Sequence, residues 1–251
     1  MPRIIKSDAF ADGYASYSPL DADENWILNH PSLSSWLSGS GISMRSVDNL
    51  WDDIAKPTLN YYPAGTLETG ARPSTALNGR PGIEMRGGST GHLKSNATIP
   101  ESYTLFAAFL MTGVLPGQTI IGDPDGVVPR AYFGINTASR LTLTHASGAG
   151  SQANSPGTVS AGVLNIGWAR FDAEEQAAHI ALNSRAPQGT GVFDTERGVR
   201  GAGAGFGAFG NGANPMTGHL GDAIIFSAAL SDAEAARVVS YLARRYDVMV
   251  A

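Results

Sequence analysis

Apolar residues in this chain mostly come in short alternating or continuous runs, and one stretch alone repeats at the helical interval. Ala235, Val238, Val239, Leu242 and Tyr246 recur at helical spacing while Arg237, Arg244 and Arg245 fall off that stripe, which predicts an amphipathic helix over residues 232–246 docked through Val238, Val239 and Leu242. Ser231 and Glu234 stand at capping-box spacing, with Asp232 in the first turn where the helix dipole favours negative charge. Just before it, Ala223-Ile224-Ile225-Phe226 is a continuous apolar run behind glycines, the pattern of a strand covered on both faces. Tyr103 to Met111 is apolar at both parities and belongs inside a sandwich. Leu141 to His145 and Ala178 to Asn183 alternate, predicting strands with one wet face and, in the second, Ile180 and Leu182 turned inward. The pattern as a whole predicts a β protein closed by one C-terminal helix.

Residues 1–31 follow neither period. Their aromatics, Phe10, Tyr14, Tyr17 and Trp26, are many for a free tail, so the segment is expected to be an N-terminal arm that packs on its own domain or on a neighbouring subunit, with the domain proper spanning 32–251.

Several phrases carry a family likeness. Leu33-Ser34-Ser35-Trp36-Leu37, the Trp51-Asp52-Asp53 signature, Ala71 to Met85 with Arg72-Pro73 and Asn78-Gly79-Arg80-Pro81, Gly87-Gly88 before His92-Leu93, Phe206-Gly207-Ala208-Phe209-Gly210, and the end Ala-Leu-Ser-Asp-Ala-Glu to Tyr-Leu-Ala-Arg-Arg-Tyr occur in order. Together they resemble concanavalin A-like (laminin G-like) jelly-roll lectin or glucanase domains of the kind found in phage and bacterial surface proteins. The resemblance implies an all-β sandwich of two antiparallel sheets with one C-terminal α-helix, and Trp36 and Trp51 in its core. The chain departs from the pattern at Ile54-Ala55-Lys56-Pro57, where the family turns on Ser-Gly, and at Asn183-Ser184, where it often has Asn-Gly. Asn78-Gly79 has its own physical reason, since both residues tolerate the positive φ of a tight turn.

Composition narrows the function. Gly at 31 and Pro at 14 beside 43% apolar residues describe turn-rich structure with a core to bury. A net charge of −5 with only three lysines, Lys6, Lys56 and Lys94, supplies no basic stripe for phosphates, which excludes nucleic acid as an expected partner. No cysteine is present, so disulfides, thiolate metal sites and cysteine nucleophiles are excluded together. The first residues lack a signal-peptide core and no apolar run is long enough to span a bilayer, so membrane insertion is not expected. Joined to the resemblance, this leads to an expected virion setting, the chain being made in the host cytoplasm.

Candidate chemistry is sparse. Glycoside hydrolysis needs a pair of carboxyl groups at the scissile bond, yet no strand carries alternating Glu and Asp; Glu84 is alone, and Asp172, Glu174 and Glu175 sit in a turn. His30, His92, His145, His179 and His219 show no zinc-ligand spacing, and no Gly-x-Ser-x-Gly elbow occurs. The glycine-rich run from Gly201 lacks the helix that a dinucleotide loop requires. Asp123 and Asp125 in Gly-Asp-Pro-Asp-Gly are candidate calcium ligands and equally an ordinary turn; otherwise no cofactor is expected. Candidates for sugar contact are Tyr61 and Tyr62, Asn136, and Asn211 and Asn214, each with a structural alternative as a core edge or turn residue.

The reading is a non-enzymatic bacteriophage virion protein, a tail fibre, spike or capsid decoration, whose lectin-like domain attaches to host cell-surface polysaccharide. Expected partners are other virion proteins and further copies of itself, as a trimer by analogy with fibres. Two alternatives stay open: a structural virion protein that uses the jelly roll for protein contacts, and a polysaccharide-degrading enzyme.

Overall fold

A computed structural model describes residues 21–39, 51–56, 60–65, 69–113, 117–123, 131–145, 152–193, 203–209 and 212–251. In chain order its elements are α1 (Ala22–Leu28), β1 (Leu33–Leu37), β2 (Trp51–Asp52), β3 (Asn60–Pro63), β4 (Arg72–Leu77), β5 (Arg80–Arg86), β6 (Leu93–Ser95), β7 (Tyr103–Met111), β8 (Gln118–Gly122), β9 (Ala131–Ile135), β10 (Arg140–His145), β11 (Gln152–Thr158), β12 (Leu164–Asp172), β13 (Ala177–Leu182), β14 (Gly189–Val192), β15 (Gly205–Phe206), β16 (Thr217–Phe226) and α2 (Asp232–Tyr246). The strands form two eight-stranded sheets, one ordered β14-β13-β12-β7-β16-β5-β4 with β1 also on β16, the other β11-β10-β9-β8-β15-β6-β3-β2. Every pairing is antiparallel. This is the jelly-roll sandwich that the sequence predicts.

Strand parity explains the layers. Tyr103, Leu105, Ala107, Phe109 and Met111 of β7 join Phe133, Leu141, Leu143 and Phe206 in the core between the sheets. Phe106 and Ala108, at the other parity, meet Trp36, Trp168, Ile224, Phe226 and the buried face of α2 in a second core. The first sheet is therefore covered on both faces, as the apolar runs require. Trp36 belongs to the second core, while the side chain of Trp51 lies outside the described residues.

Helix α2 starts where the sequence places it. The Glu234 N–H donates to Ser231 Oγ and the Ser231 N–H donates to the Glu234 carboxylate. Val238, Val239 and Leu242 have no exposed surface. At its end Asp247 adopts φ 53°, and the Asn78 side chain donates to the Tyr246 carbonyl at 2.8 Å, tying the β4–β5 turn to the helix terminus.

A bulge in β16 between Leu220 and Ala223 turns Asp222 toward α2. There its carboxylate accepts from Trp36 Nε1 and Tyr246 Oη, each at 3.1 Å, and pairs with Arg245 Nε at 2.7 Å. Gly221 makes room, because a Cβ at that position would lie 2.5 Å from the Tyr246 hydroxyl. Burial disfavours charge on Arg245, and the Asp222 carboxylate together with the Tyr241 and Tyr246 hydroxyls outweighs it, holding the guanidinium pKa above its ordinary value.

The N-terminal segment is docked over residues 21–31. Asp21 caps α1, Ile27 is fully buried in the second core, and Arg237 lies over the Trp26 ring at 4.7 Å. Asp23 pairs with Arg237 and Arg244, and Asp21 with Arg244. This part of the expected arm packs on its own domain, and the remainder, with Phe10, Tyr14 and Tyr17, lies outside the described residues.

Candidate functional site

The outer face of the second sheet is the surface that no helix covers among the described residues. Its register lines up one row across six neighbouring pairs: Tyr62 opposite Lys94, Lys94 opposite Gly205, Gly205 opposite Gly122, Gly122 opposite Tyr132, Tyr132 opposite Thr144, and Thr144 opposite Gln152. All point outward, since their chain neighbours Tyr61, Leu93, Phe206, Ile121, Phe133, Leu143 and Ala153 lie in the core between the sheets.

The two glycines leave a gap in the row, and the loop after β15 fills part of it. Phe209 packs on Gly122, where a Cβ would lie 2.8 Å from the ring, and meets Tyr132 with centroids 5.5 Å apart. The Tyr132 ring packs over Gly134, and its hydroxyl proton is shared between the Gln118 and Ile135 carbonyls. The loop is held by Gly207 N–H to the Ile120 carbonyl, Met216 N–H to the Gly207 carbonyl and Thr119 N–H to the Asn214 carbonyl. Phe209 and Tyr132 thus make a buried ridge across the sheet. On one side of it stand Tyr62, 39% exposed, and half-buried Lys94; on the other stand Thr144, Gln152 and Asn154.

The candidate sugar residues separate on this geometry. Tyr61 is a correction: its ring has no exposed surface, and its hydroxyl donates to Asp53 Oδ2 at 2.6 Å and contacts Ser35 Oγ, so no sugar can stack on it. Burial and the adjacent Asp53 charge hold the Tyr61 hydroxyl well above the usual phenol range. Asp53 in turn accepts the N–H groups of Trp36, Ala55 and Lys56, which gives the stretch after Trp51 a defined conformation without the Ser-Gly turn. Tyr62, one residue on, faces out. Asn136 braces its own loop, its Oδ1 accepting from Ala138 N and Arg140 N and its Nδ2 donating to Asn154 Oδ1. Asn214 is exposed, with φ 52°, at the end of the sheet beside Gly117, and β6 and β15 separate its strand neighbour β8 from Tyr62 on β3. Asn211 and Asp125 lie outside the described residues.

Asp123 is 1% exposed, and its Oδ2 accepts from Ala131 N at 2.6 Å, bracing the start of β9. Calcium takes six or more oxygens, and no group of three or more histidines or acids suited to a metal occurs among the described residues. The alternating strand β10 has less wet surface than its pattern suggests, for Thr142 is buried and donates to the Ala153 carbonyl at 3.3 Å. Asp172 accepts from Glu174 N and Glu175 N in the β12–β13 turn, as expected of a turn acid.

Sequence reasoning missed Lys94 and His92 as members of this region. His92, two residues before Lys94, is fully buried, and neither ring nitrogen has a hydrogen-bond partner among the described residues. Burial, with a smaller push from the Lys94 charge, lowers its pKa to about 4. Alternation over residues 92–95 was the available signal for Lys94, but its opposition to Tyr62 depends on a pairing between strands distant in sequence.

No family model matches the chain, and no curated protein does. Solved structures do. Domain 4 of AbnA, an extracellular arabinanase from Geobacillus stearothermophilus, in complex with arabinotriose, is similar over 83% of this chain and 98% of that one, with TM-score 0.60 at 11% identity. The binding domain of botulinum neurotoxin DC in complex with SialylT matches over 86% of this chain and 52% of its own, with TM-score 0.59 at 13% identity. A native heptameric SAP-like pentraxin from Limulus polyphemus matches over 63% and 81%, with TM-score 0.52 at 15% identity. Likeness at these identities concerns the fold, and the fold is a concanavalin A-like jelly-roll sandwich.

Proposed function

We propose that the chain is a non-catalytic glycan-binding module whose site lies on the outer face of the second sheet around Tyr62. The observation that carries this reading is the asymmetry of the sandwich. One sheet is covered by α1 and α2, while the other presents an exposed aromatic ring beside the Lys94 ammonium, on one side of a buried ridge. Sugar stacking asks for such a ring with polar groups around it, because the apolar face of a pyranose leaves water on contact. Among the described side chains of strands β6, β9, β10 and β11 on this face none is a carboxylate, which favours binding over hydrolysis by an acid pair. Similarity to a domain solved with arabinotriose and to a toxin binding domain solved with SialylT supports the same reading.

The finer setting, a bacteriophage tail fibre, spike or capsid decoration that attaches to host polysaccharide, rests on the resemblance of the quoted phrases to phage and bacterial surface domains. A glycan array read with the wild-type protein tests the binding function, with a reducing-sugar assay on every hit. Binding without sugar release is the expected result; release of reducing ends would overturn the non-catalytic reading. Mass spectrometry of purified particles tests the setting.

A further inference from the structure

Resting on that reading, we infer that the sugar held at Tyr62 carries an anionic substituent, paired with Lys94. The observation is one of charge placement. The chain has a net charge of −5, yet the charged side chains described on the outer face of the second sheet are Lys94 and Arg140. The acids whose side chains are described lie elsewhere, and Asp52 of β2 stands opposite Asn60, one strand beyond Tyr62 from Lys94. Asp21, Asp23, Glu24, Asp222, Asp232, Glu234 and Asp247 belong to the helix layer, Glu84 pairs with Arg72 on the first sheet, Asp53 and Asp123 are buried braces, and Glu101, Asp172, Glu174 and Glu175 are in turns. Lys94 has no ion-pair partner among the described residues, and its ammonium is the charge placed directly beside Tyr62.

The register makes that charge local to the ring. Tyr62 and Lys94 are direct cross-strand partners, so their Cβ atoms stand about 5 Å apart. A pyranose stacked on Tyr62 and bearing a carboxylate one bond off its ring places that charge above β6, within reach of a flexible lysine stem. Beyond Lys94 the row has no side chain at Gly205, and the Phe209–Tyr132 ridge then rises, so the anion is confined between the stem and the ridge. Arg140 cannot serve the same sugar. It lies four strand spacings from β6, about 19 Å, on the far side of the ridge.

A single ammonium recognises charge without reading its geometry, so uronate, sialyl and sulfated sugars share the required chemistry, and matched probes separate them. Calorimetry with 3′-sialyllactose against lactose, trigalacturonate against its methyl ester, and a sulfated against an unsulfated disaccharide, for wild type, Lys94→Gln, Lys94→Arg and Tyr62→Ala, tests the inference. At least one acidic probe should bind about tenfold more tightly than its neutral parent, the low end for a hydrogen bond to a charged group. Lys94→Gln should abolish that preference while keeping the neutral parent's affinity, Lys94→Arg should restore most of it, and added salt should erode it. Neutral sugars bound as tightly as acidic ones, with binding still lost in Tyr62→Ala, would overturn this inference and leave the glycan reading standing. A preference that survives Lys94→Gln would overturn it too. No binding to any probe or array glycan would remove both.

Discussion

Changing Asp222 to Ala tests how the helix layer is fixed to the sheet. The carboxylate has no exposed surface and holds three groups at once, the Trp36 indole N–H, the Tyr246 hydroxyl and the Arg245 guanidinium. Its removal strands two buried donors and a charge. Breaking a buried ion pair from one side costs about 3–5 kcal/mol. Arg245 keeps 22% of its side chain exposed and still reaches Tyr241 Oη and Ser38 Oγ, so it regains some hydration and places the loss near the lower limit. A loss of about 3 kcal/mol corresponds to about 6–12 °C in Tm for a chain of this size. Urea melts followed by far-UV circular dichroism give the value directly. The double variant Asp222→Ala with Arg245→Met should recover much of the loss, since it removes the orphaned charge together with its partner. A single-variant loss below about 0.5 kcal/mol, or a double variant as unstable as the sum of the singles, would refute the account of the bulge as the helix anchor.

Other outcomes follow from the same packing. Leu242→Ala empties a fully buried position under α2 and should cost about 2–5 kcal/mol in denaturant melts. Deleting residues 1–31 should lower Tm by several degrees, since Ile27, the Trp26–Arg237 contact and the Asp21 and Asp23 ion pairs go with it. Between pH 6.5 and about 4 the unfolded chain takes up a proton that folded His92 refuses, so stability should fall as pH drops through that window; His92→Leu should flatten the fall, measured as urea midpoint against pH. Melting in EDTA and in added calcium should coincide; a calcium-dependent rise, lost in Asp123→Ala, would point to a metal at Asp123.

What the sequence shows of this fold is what is local. The capping box and the 3.6-residue stripe of α2 need no partner to be read, and the double apolar parity of β7 places it between two layers. Helix α1 is only seven residues long with one fully buried side chain, Ile27, too short for a period to emerge, although Asp21, Asp23 and Glu24 form an ordinary acidic start. Asp222 reaches α2 through a bulge that breaks the alternation around it. The candidate site was legible in half. Tyr61 and Tyr62 are adjacent on one strand and so point to opposite faces, and nothing within Asn60-Tyr61-Tyr62-Pro63 tells which ring is inward. Lys94 becomes a neighbour of Tyr62 only through pairing between β3 and β6.

The most direct test of the glycan-binding claim is calorimetric titration of wild type, Tyr62→Ala and Asp172→Ala with the strongest glycan from the array. Tyr62 offers its exposed ring at the proposed site, while Asp172 caps a turn between β12 and β13 of the other sheet. The account predicts that Tyr62→Ala weakens binding at least about tenfold, since stacking on an aromatic face contributes about 1 kcal/mol and more with the apolar area it covers, and that Asp172→Ala binds as the wild type does. Equal affinities for all three proteins, with each folded to the same Tm, would contradict it and remove the site from this face.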